Sequence, residues 1–156
     1  MTEQWRIRDA DLGDLDRLVE YNCAMAEETE SRRLDPERVR AGIRRLLEQP
    51  ALGRYLVVCA ADGAISGAMM LTTEWSDWRN GLFWWIQSVY VAPKYRRTGV
   101  FSAVYRHVER EARATPDVCG LRLYVERENV GAQGTYLNLG MHETDYRLFE
   151  VDFSAE

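Results

Sequence analysis

The stretch VAPKYRRTGVFSAVYRHVEREA (residues 91–112) decides the fold of this 156-residue chain. It runs from the end of an apolar segment, through a turn that contains Arg96 and Arg97, into an amphipathic pattern that starts at about Val100. The start of a helix exposes backbone N–H groups that have no partner inside the helix, and it carries the positive end of the helix dipole. Together with the cations and the bare backbone of Gly99, such a start can bind a phosphate group.

The same residues also allow a plainer interpretation, in which both arginines are solvated and Gly99 is an ordinary loop glycine. Spacing alone does not decide between the two. Neither the P-loop pattern nor the GxGxxG dinucleotide pattern is present.

Composition and charge narrow the function classes. The chain is 46% hydrophobic and 29% charged, which argues against disorder, and its length suits one domain over residues 1–156. Its net charge of −5 argues against nucleic acid as a partner, because tracking a nucleic-acid backbone needs a broad basic surface. Basic residues are concentrated locally, so a small anion is the better candidate ligand.

Cysteine usage and the N-terminus indicate the compartment. The three cysteines are far apart and form no CxxC pair, which argues against a disulfide framework and against a zinc site, so no metal is expected. The N-terminus has no apolar signal-peptide run, and no segment has the length of a membrane span. We therefore expect a cytoplasmic protein that has no membrane partner.

Hydrophobic periodicity predicts the order strand, two helices, three strands, helix, strand, helix, strand. The predicted strands cover residues 4–8, 54–60, 64–75, 82–91, 120–126 and 146–153, and the predicted helices run from Asp9 or Asp11 to about 28, and over 36–48, 100–114 and 129–139. Antiparallel strands in the first half and helical crossovers in the second predict an α/β (mixed α+β) fold. Its central mixed sheet has about six to seven strands, with helices on both faces.

The turn resembles motif A of the GNAT superfamily of N-acetyltransferases, which has the pattern (Arg/Gln)-x-x-Gly-x-(Gly/Ala) after an apolar strand. Here the loop reads RRTGVF (96–101) after VAP (91–93). The later LYVERENVGAQGTYLNLGM resembles the second motif of that family, in which an asparagine opens a helix and a tyrosine follows seven residues on. Those positions are Asn129 and Tyr136. The resemblance covers nearly the whole chain, most specifically residues 84–140.

This resemblance implies a GNAT-like fold, acetyl-CoA as the co-substrate and an amine as the acceptor. It assigns the pyrophosphate to the loop, mainly through backbone N–H groups of Arg96, Arg97, Thr98, Gly99, Val100, Phe101 and Ser102. Val89 and Val91, with Tyr90 between them, would pair with the pantetheine amides as an added strand, and Asn129 would touch the cofactor arm. Dimers are frequent in the family, which makes a homodimer an expectation here.

One position departs from the family pattern, which has Gly or Ala where this chain has Phe101. The helical period groups Phe101 with Val104 and Tyr105. We therefore predict that the ring points into the core while the Phe101 N–H stays available to a ligand.

Amine acetylation needs a deprotonated amine, donors for the developing oxyanion and a proton for the departing thiolate. Tyr136 is the predicted catalytic acid, since a phenol has a pKa of about 10. The alternative is a core residue, because Ala132, Tyr136 and Leu139 share one helical face. A backbone N–H near Val89 is the predicted oxyanion donor. Glu74 and a water relay are the two candidates for the general base that removes the proton from the amine.

Two further groups bear on the acceptor. Glu27, Glu28 and Glu30 lie in the connection that in this family commonly borders the acceptor pocket, and they favour a cationic amine. Tryptophans could supply an aromatic wall with cation–π contacts, namely Trp75, Trp78, Trp84 and Trp85. Solvated glutamates and core tryptophans are the alternatives.

Two other functions stay open. One is a non-catalytic GNAT-fold module that binds acetyl-CoA as a sensor or partner domain, which Phe101 and the missing strand carboxylate support. The other is a phosphate-binding module for a different nucleotide.

Overall fold

The computed structural model describes residues 4–155. The chain divides into two compact units, Met1–Glu126 and Arg127–Glu156. The elements of the first unit are β1 (Arg6–Asp9), α1 (Leu15–Glu30), α2 (Pro36–Glu48), β2 (Arg54–Cys59), β3 (Ile65–Ser76), β4 (Gly81–Val91), α3 (Val100–Ala114) and β5 (Val118–Arg122). The second unit contains α4 (Val130–Asn138).

The five strands form one mixed sheet in the order β1-β2-β3-β4-β5. Strands β1 to β4 pair antiparallel, and β5 joins β4 in parallel. The α-helix α3 is the crossover between the two parallel strands, as parallel pairing requires. The predicted mixed sheet is therefore confirmed.

The count of about six to seven strands is too high, because the predicted last strand is absent. Residues 146–152 form no strand, and Phe153–Ala155 is a 3-10 turn. This segment has the apolar and polar alternation of a strand, but a strand exists only where a neighbour completes its hydrogen-bond ladder. Composition alone cannot supply that neighbour.

Local signals fix where the first two helices begin. The Asp11 side chain accepts from the Gly13 N–H and caps a 3-10 turn that leads into α1. Asp35 caps α2 by accepting from the Glu37 N–H, with Pro36 in the first helical position. The start of α2 agrees with the sequence prediction, whereas α1 begins at Leu15, later than the predicted Asp9 or Asp11, because Asp11 caps only the 3-10 turn before it.

The helices cover both faces of the sheet. One face packs on α1 and α2 in a core cluster of Leu15, Leu18, Val19, Tyr21, Ile43, Leu46, Tyr55, Val57, Cys59, Ala68 and Tyr90. The opposite face packs on α3, where Val100 lies beside Gly67, the strand neighbour of Ala68. Burying these apolar side chains is the main stabilising contribution to the first unit.

Strand β4 changes its pairing half-way along. It pairs with β5 only over residues 82–85 and continues beside β3 to Val91. Along residues 86–91 its other edge therefore has no strand partner within residues 4–155. The two parallel strands part at this point and leave an open edge.

No cluster of three or more His, Cys, Asp or Glu side chains that could hold a metal occurs in residues 4–155. In the same part of the chain, no helix is long and apolar enough to cross a membrane.

Candidate functional site

The turn between β4 and α3 forms a shallow cradle. Gly99 is the N-cap of α3 with φ +90°, in the left-handed region that favours glycine. A Cβ at Gly99 would have no neighbouring heavy atom within 4 Å, so the space in front of this backbone is open. A cavity of about 200 Å³ lies here, lined by Val91, Tyr95, Arg96, Arg97, Gly99, Val100, Phe101 and Ser102.

The backbone of this cradle suits an anion. The first intrahelical bond of α3 runs from the Ala103 N–H to the Gly99 carbonyl at 3.0 Å. The N–H groups of residues 100–102 therefore precede the helical ladder, at the positive end of a 15-residue helix. A phosphate or diphosphate group suits this set of donors in charge.

The Arg96 side chain is exposed, but both of its hydrogen bonds are to groups of the protein itself. Its Nε donates to the Val91 carbonyl at 2.9 Å, and a terminal nitrogen donates to the Glu28 carboxylate at 2.9 Å. The guanidinium also lies over the Tyr90 ring, 5.3 Å from the centroid, and the Tyr90 hydroxyl donates to Glu28 at 3.2 Å. Arg96 therefore braces the turn against α1, while the exposed Arg97 lines the cavity.

This brace also changes the interpretation of the predicted acidic group. Glu28 is bonded to Arg96 and Tyr90, so it is not an open carboxylate for a cationic acceptor. No sequence pattern indicates the pairing, because the two charges lie 68 positions apart.

Phe101 departs from its prediction. The buried face of α3 consists of Val100, Val104, Tyr105, Val108 and Ala112, whereas Phe101 is half-buried and lines the cavity. Its ring packs on Tyr105 with centroids 6.1 Å apart. The buried face of α3 is centred on residues 100, 104 and 108. Phe101 follows Val100 by one residue, which is a rotation of about 100°, so its side chain lies at the edge of that face.

The predicted pantetheine-pairing residues lie on the open edge of β4. Val89, Tyr90 and Val91 all follow the last β4–β5 pair, Trp85 with Arg122. An extended ligand with amide groups could add to this edge as a short strand. The Tyr90 ring itself is buried against α1, where it packs on Tyr21 at 5.0 Å.

A β-bulge interrupts β4 at the same place. Met70 pairs with Gln87 and Ala68 with Tyr90, so one β3 residue faces both Ser88 and Val89. Ser88 has φ +49°, which is uncommon for a residue with a side chain. Sequence reasoning missed this bulge, because a serine within an apolar strand carries no signal for it.

The second unit holds the two residues of the later motif. Asn129 caps α4 by accepting from the Ala132 N–H at 3.2 Å, as its helix-opening position predicted. Tyr136 is half-buried, and burial raises the pKa of its hydroxyl above the usual value. The phenol is therefore protonated at neutral pH, as a proton donor must be.

Glu74, one candidate for the base, is engaged in an ion pair. Its carboxylate accepts from Arg122 at 2.6 Å, and the Arg122 guanidinium lies 3.6 Å from the centroid of the Phe83 ring. The carboxylate that would have to accept the amine proton is therefore already engaged by Arg122. This contact disfavours Glu74 against a water relay.

The four predicted tryptophans form no common wall. Trp84 lies beneath the Arg54 guanidinium, and Trp85 packs on Tyr124 with centroids 5.8 Å apart. Trp75 and Trp78 lie at the β3–β4 connection with exposed fractions of 57% and 87%. Of these four tryptophans, only Trp85 lies at the point where β4 and β5 separate.

Comparison with known proteins agrees with this geometry. Residues 15–141 match the acetyltransferase (GNAT) family. The crystal structure of a possible acetyltransferase from Clostridium difficile 630 superposes with a TM-score of 0.89 at 40% identity, covering 96% of this chain and 98% of that one. No curated protein gives a significant match.

More distant structures share the fold. A predicted acetyltransferase with acetyl-CoA from Clostridium acetobutylicum has a TM-score of 0.75 at 18% identity, covering 97% of this chain and 98% of that one. Glucosamine-6-phosphate N-acetyltransferase from Arabidopsis thaliana has a TM-score of 0.70 at 16% identity, covering 96% and 99%. From the family match over most of its length and the 40% identical structure, the chain belongs to the GNAT family of acetyltransferases.

Proposed function

We propose that this protein is an acetyl-CoA-dependent N-acetyltransferase that acts on a primary amine of a small molecule or peptide. The observation that carries the proposal is the open edge of β4 along residues 86–91, which leads directly into the cradle at Gly99. Such a continuous path suits a ligand with an amide-bearing arm that ends in a diphosphate. The family match spans residues 15–141, and we propose that both units serve one acetyltransferase domain.

Each part of the path has a proposed role. Residues 96–102 would hold the pyrophosphate, chiefly through the backbone N–H groups of residues 100–102 and the exposed Arg97, since the Arg96 N–H already donates to the Pro93 carbonyl. Val89 and Val91 would pair with the pantetheine arm, and Asn129 would contact it. Acetyl-CoA supplies an acyl group activated as a thioester, and the protein supplies binding, orientation and proton transfer.

The proposed reaction is direct transfer. The neutral amine nitrogen forms a bond to the thioester carbonyl carbon, and the carbon–sulfur bond breaks. A backbone N–H of the bulge near Val89 would stabilise the charge that develops on the carbonyl oxygen. The Tyr136 hydroxyl would protonate the departing thiolate. Water would carry away the amine proton, since Glu74 is paired with Arg122.

The acceptor is proposed to carry a positive charge. With Glu28 bonded to Arg96, Glu27 and Glu30 are the exposed carboxylates at the end of α1 that could attract it. This attraction acts between exposed groups, so salt should weaken acceptor binding.

Two measurements test the proposed function. Calorimetry with acetyl-CoA, CoA and ATP should give binding of the first two only, and tight ATP binding without CoA binding would refute the proposal. Thiol release should then appear with at least one member of a panel of primary amines. Acetyl-CoA binding without thiol release across the panel would favour a non-catalytic module, which Phe101 in the cavity wall also supports.

The Arg96 brace gives a separate prediction. Arg96→Met and Glu28→Gln should each weaken acetyl-CoA binding about fivefold, because each releases the turn from α1, and an exposed ion pair contributes up to about 1 kcal/mol. The double variant should be no weaker than either single variant, since both act through one interaction. Calorimetry measures the three affinities.

Glu30→Gln is the matched control, since it removes a carboxylate from the same helix end. Its acetyl-CoA affinity should equal that of the wild type. If the losses of acetyl-CoA affinity in the two single variants add in the double variant, Arg96 and Glu28 act independently. That result would contradict the proposed brace between the turn and α1.

A further inference from the structure

Ser88 is held in a conformation that its own side chain disfavours. Its φ of +49° lies in the left-handed region, and it sits inside a strand rather than in a turn. Left-handed residues other than glycine persist where their surroundings hold them, and they occur often at functional sites. The bulge made by Ser88 and Val89 lies on the part of β4 that the proposed function uses.

A buried tyrosine from another strand reaches this bulge. Tyr55 on β2 stands beside Met70 on β3, and Met70 stands beside Gln87, the residue before Ser88. The Tyr55 side chain lies on the same face of the sheet as those of Met70 and Gln87, and it is only 3% exposed. Burial raises the pKa of the Tyr55 hydroxyl, while Asn22 and the Ser88 side chain both lower it, so Ser88 lies near enough to interact with this hydroxyl.

Helix α1 also bonds to the same hydroxyl. The Asn22 side-chain NH₂ donates to the Tyr55 oxygen at 2.8 Å and to the Leu18 carbonyl at 2.9 Å. Burial raises the pKa of Tyr55, so the hydroxyl is neutral at physiological pH. A satisfied buried network of this kind restricts the groups it joins to one arrangement.

We propose that Tyr55 and Asn22 are positioning residues for acetyl transfer, which hold the Ser88–Val89 bulge so that its N–H groups meet the developing oxyanion. The inference rests on the proposed function, and it assigns a role to residues outside the cofactor path. It gives a role to the hydroxyl that Tyr55 places in the core cluster and to the half-buried Asn22 side chain that bonds to it.

Removal of one hydroxyl tests the proposal. Tyr55→Phe keeps the ring and should lower kcat by about tenfold to hundredfold, because small displacements of catalytic groups cost that much. The affinity for acetyl-CoA should stay within about twofold of the wild type, since the cradle at Gly99 is untouched. Asn22→Leu removes the same hydrogen bond from the α1 side and should change the rate in the same direction.

Rescue by glycine separates positioning from general packing. Glycine adopts positive φ without steric cost, so Ser88→Gly should not need the hydroxyl of Tyr55. The double variant Tyr55→Phe with Ser88→Gly should therefore match the kcat of Ser88→Gly alone to within about twofold. If Tyr55→Phe leaves kcat unchanged, or if Ser88→Gly leaves its loss fully in place, the proposal is overturned.

Tyr21→Phe is the matched control. Tyr21 is also a buried tyrosine, and its hydroxyl donates to the Ile65 carbonyl at 2.5 Å. Its loss should lower the thermal unfolding temperature without changing kcat. An equal fall in kcat for Tyr21→Phe would mean that the Tyr55 effect is general destabilisation.

Amide hydrogen exchange distinguishes failure of this inference from failure of the proposed function. The Ser88 and Val89 amides should exchange faster in Tyr55→Phe than in the wild type, while those of β2 stay protected. Unchanged exchange would overturn the inference whatever the activity. If the wild type transfers acetyl to no amine, the proposed function fails, and the exchange rates still report whether Tyr55 holds the bulge.

Discussion

Replacement of Gly99 by aspartate is expected to abolish measurable acetyl-CoA binding, a loss of about 100-fold or more. A carboxylate would enter the open space in front of the helix start, where nothing lies within 4 Å of the Cβ position. It would oppose the diphosphate by charge and occupy its volume. Each tenfold loss corresponds to about 1.4 kcal/mol, and repulsion between close charges readily exceeds twice that value. Calorimetry of the variant with acetyl-CoA measures the effect.

Two controls isolate the cause. Gly63→Asp places the same side chain on a glycine with φ +87° and equally open surroundings, so it carries the same backbone cost far from the cradle. It should bind acetyl-CoA normally. Gly99→Asn has the size of aspartate without its charge and should bind with intermediate affinity. Retained affinity in Gly99→Asp would place the cofactor elsewhere on the protein.

Replacement of Tyr136 by phenylalanine should lower kcat by about 100-fold, the usual contribution of a positioned general acid. Acetyl-CoA affinity should change by less than about twofold, because the proposed proton transfer stabilises the transition state and not the bound cofactor. Steady-state rates of thiol release measure the first value and calorimetry the second.

The pH profile tests the same assignment. Burial raises the pKa of Tyr136 above the usual value of about 10, and the proposed mechanism uses the protonated phenol. Activity of the wild type should therefore stay high through pH 10 and fall only above it. In Tyr136→Phe this alkaline fall should be missing from the remaining activity.

Tyr105→Phe is the matched control for this substitution. Tyr105 is a buried tyrosine on α3 whose pKa is also raised by burial. Its loss should leave kcat and the alkaline limb unchanged. If Tyr136→Phe behaves in the same way, Tyr136 is a packing residue.

The sequence predicted the elements whose signals are local. Asp35 with Pro36 marked the start of α2, and Asn129 marked the start of α4. Gly99 was predicted at the start of α3 as a position able to take positive φ, and it has φ +90°. In each case one to four residues contain the whole signal.

Features that depend on distant partners could not be predicted. Residues 146–153 alternate like a strand, but pairing is a property of the neighbour. The bond from Arg96 to Glu28 joins charges 68 positions apart, and only the fold brings them together. The predicted direction of the Phe101 ring was wrong, because successive helical residues differ by about 100° of rotation and the fully buried position is the neighbouring Val100.

The bulge at Ser88 also has a consequence for the solubility of the protein. An open strand edge can template pairing with the edge of another copy, which leads to aggregation. A regular strand from another copy would need evenly spaced partners along residues 86–91, and the extra residue in β4 breaks that spacing. A short flexible ligand with widely separated amide groups does not need such regularity. The irregularity therefore disfavours pairing with a regular strand of another copy, while the edge stays open to the proposed pantetheine arm.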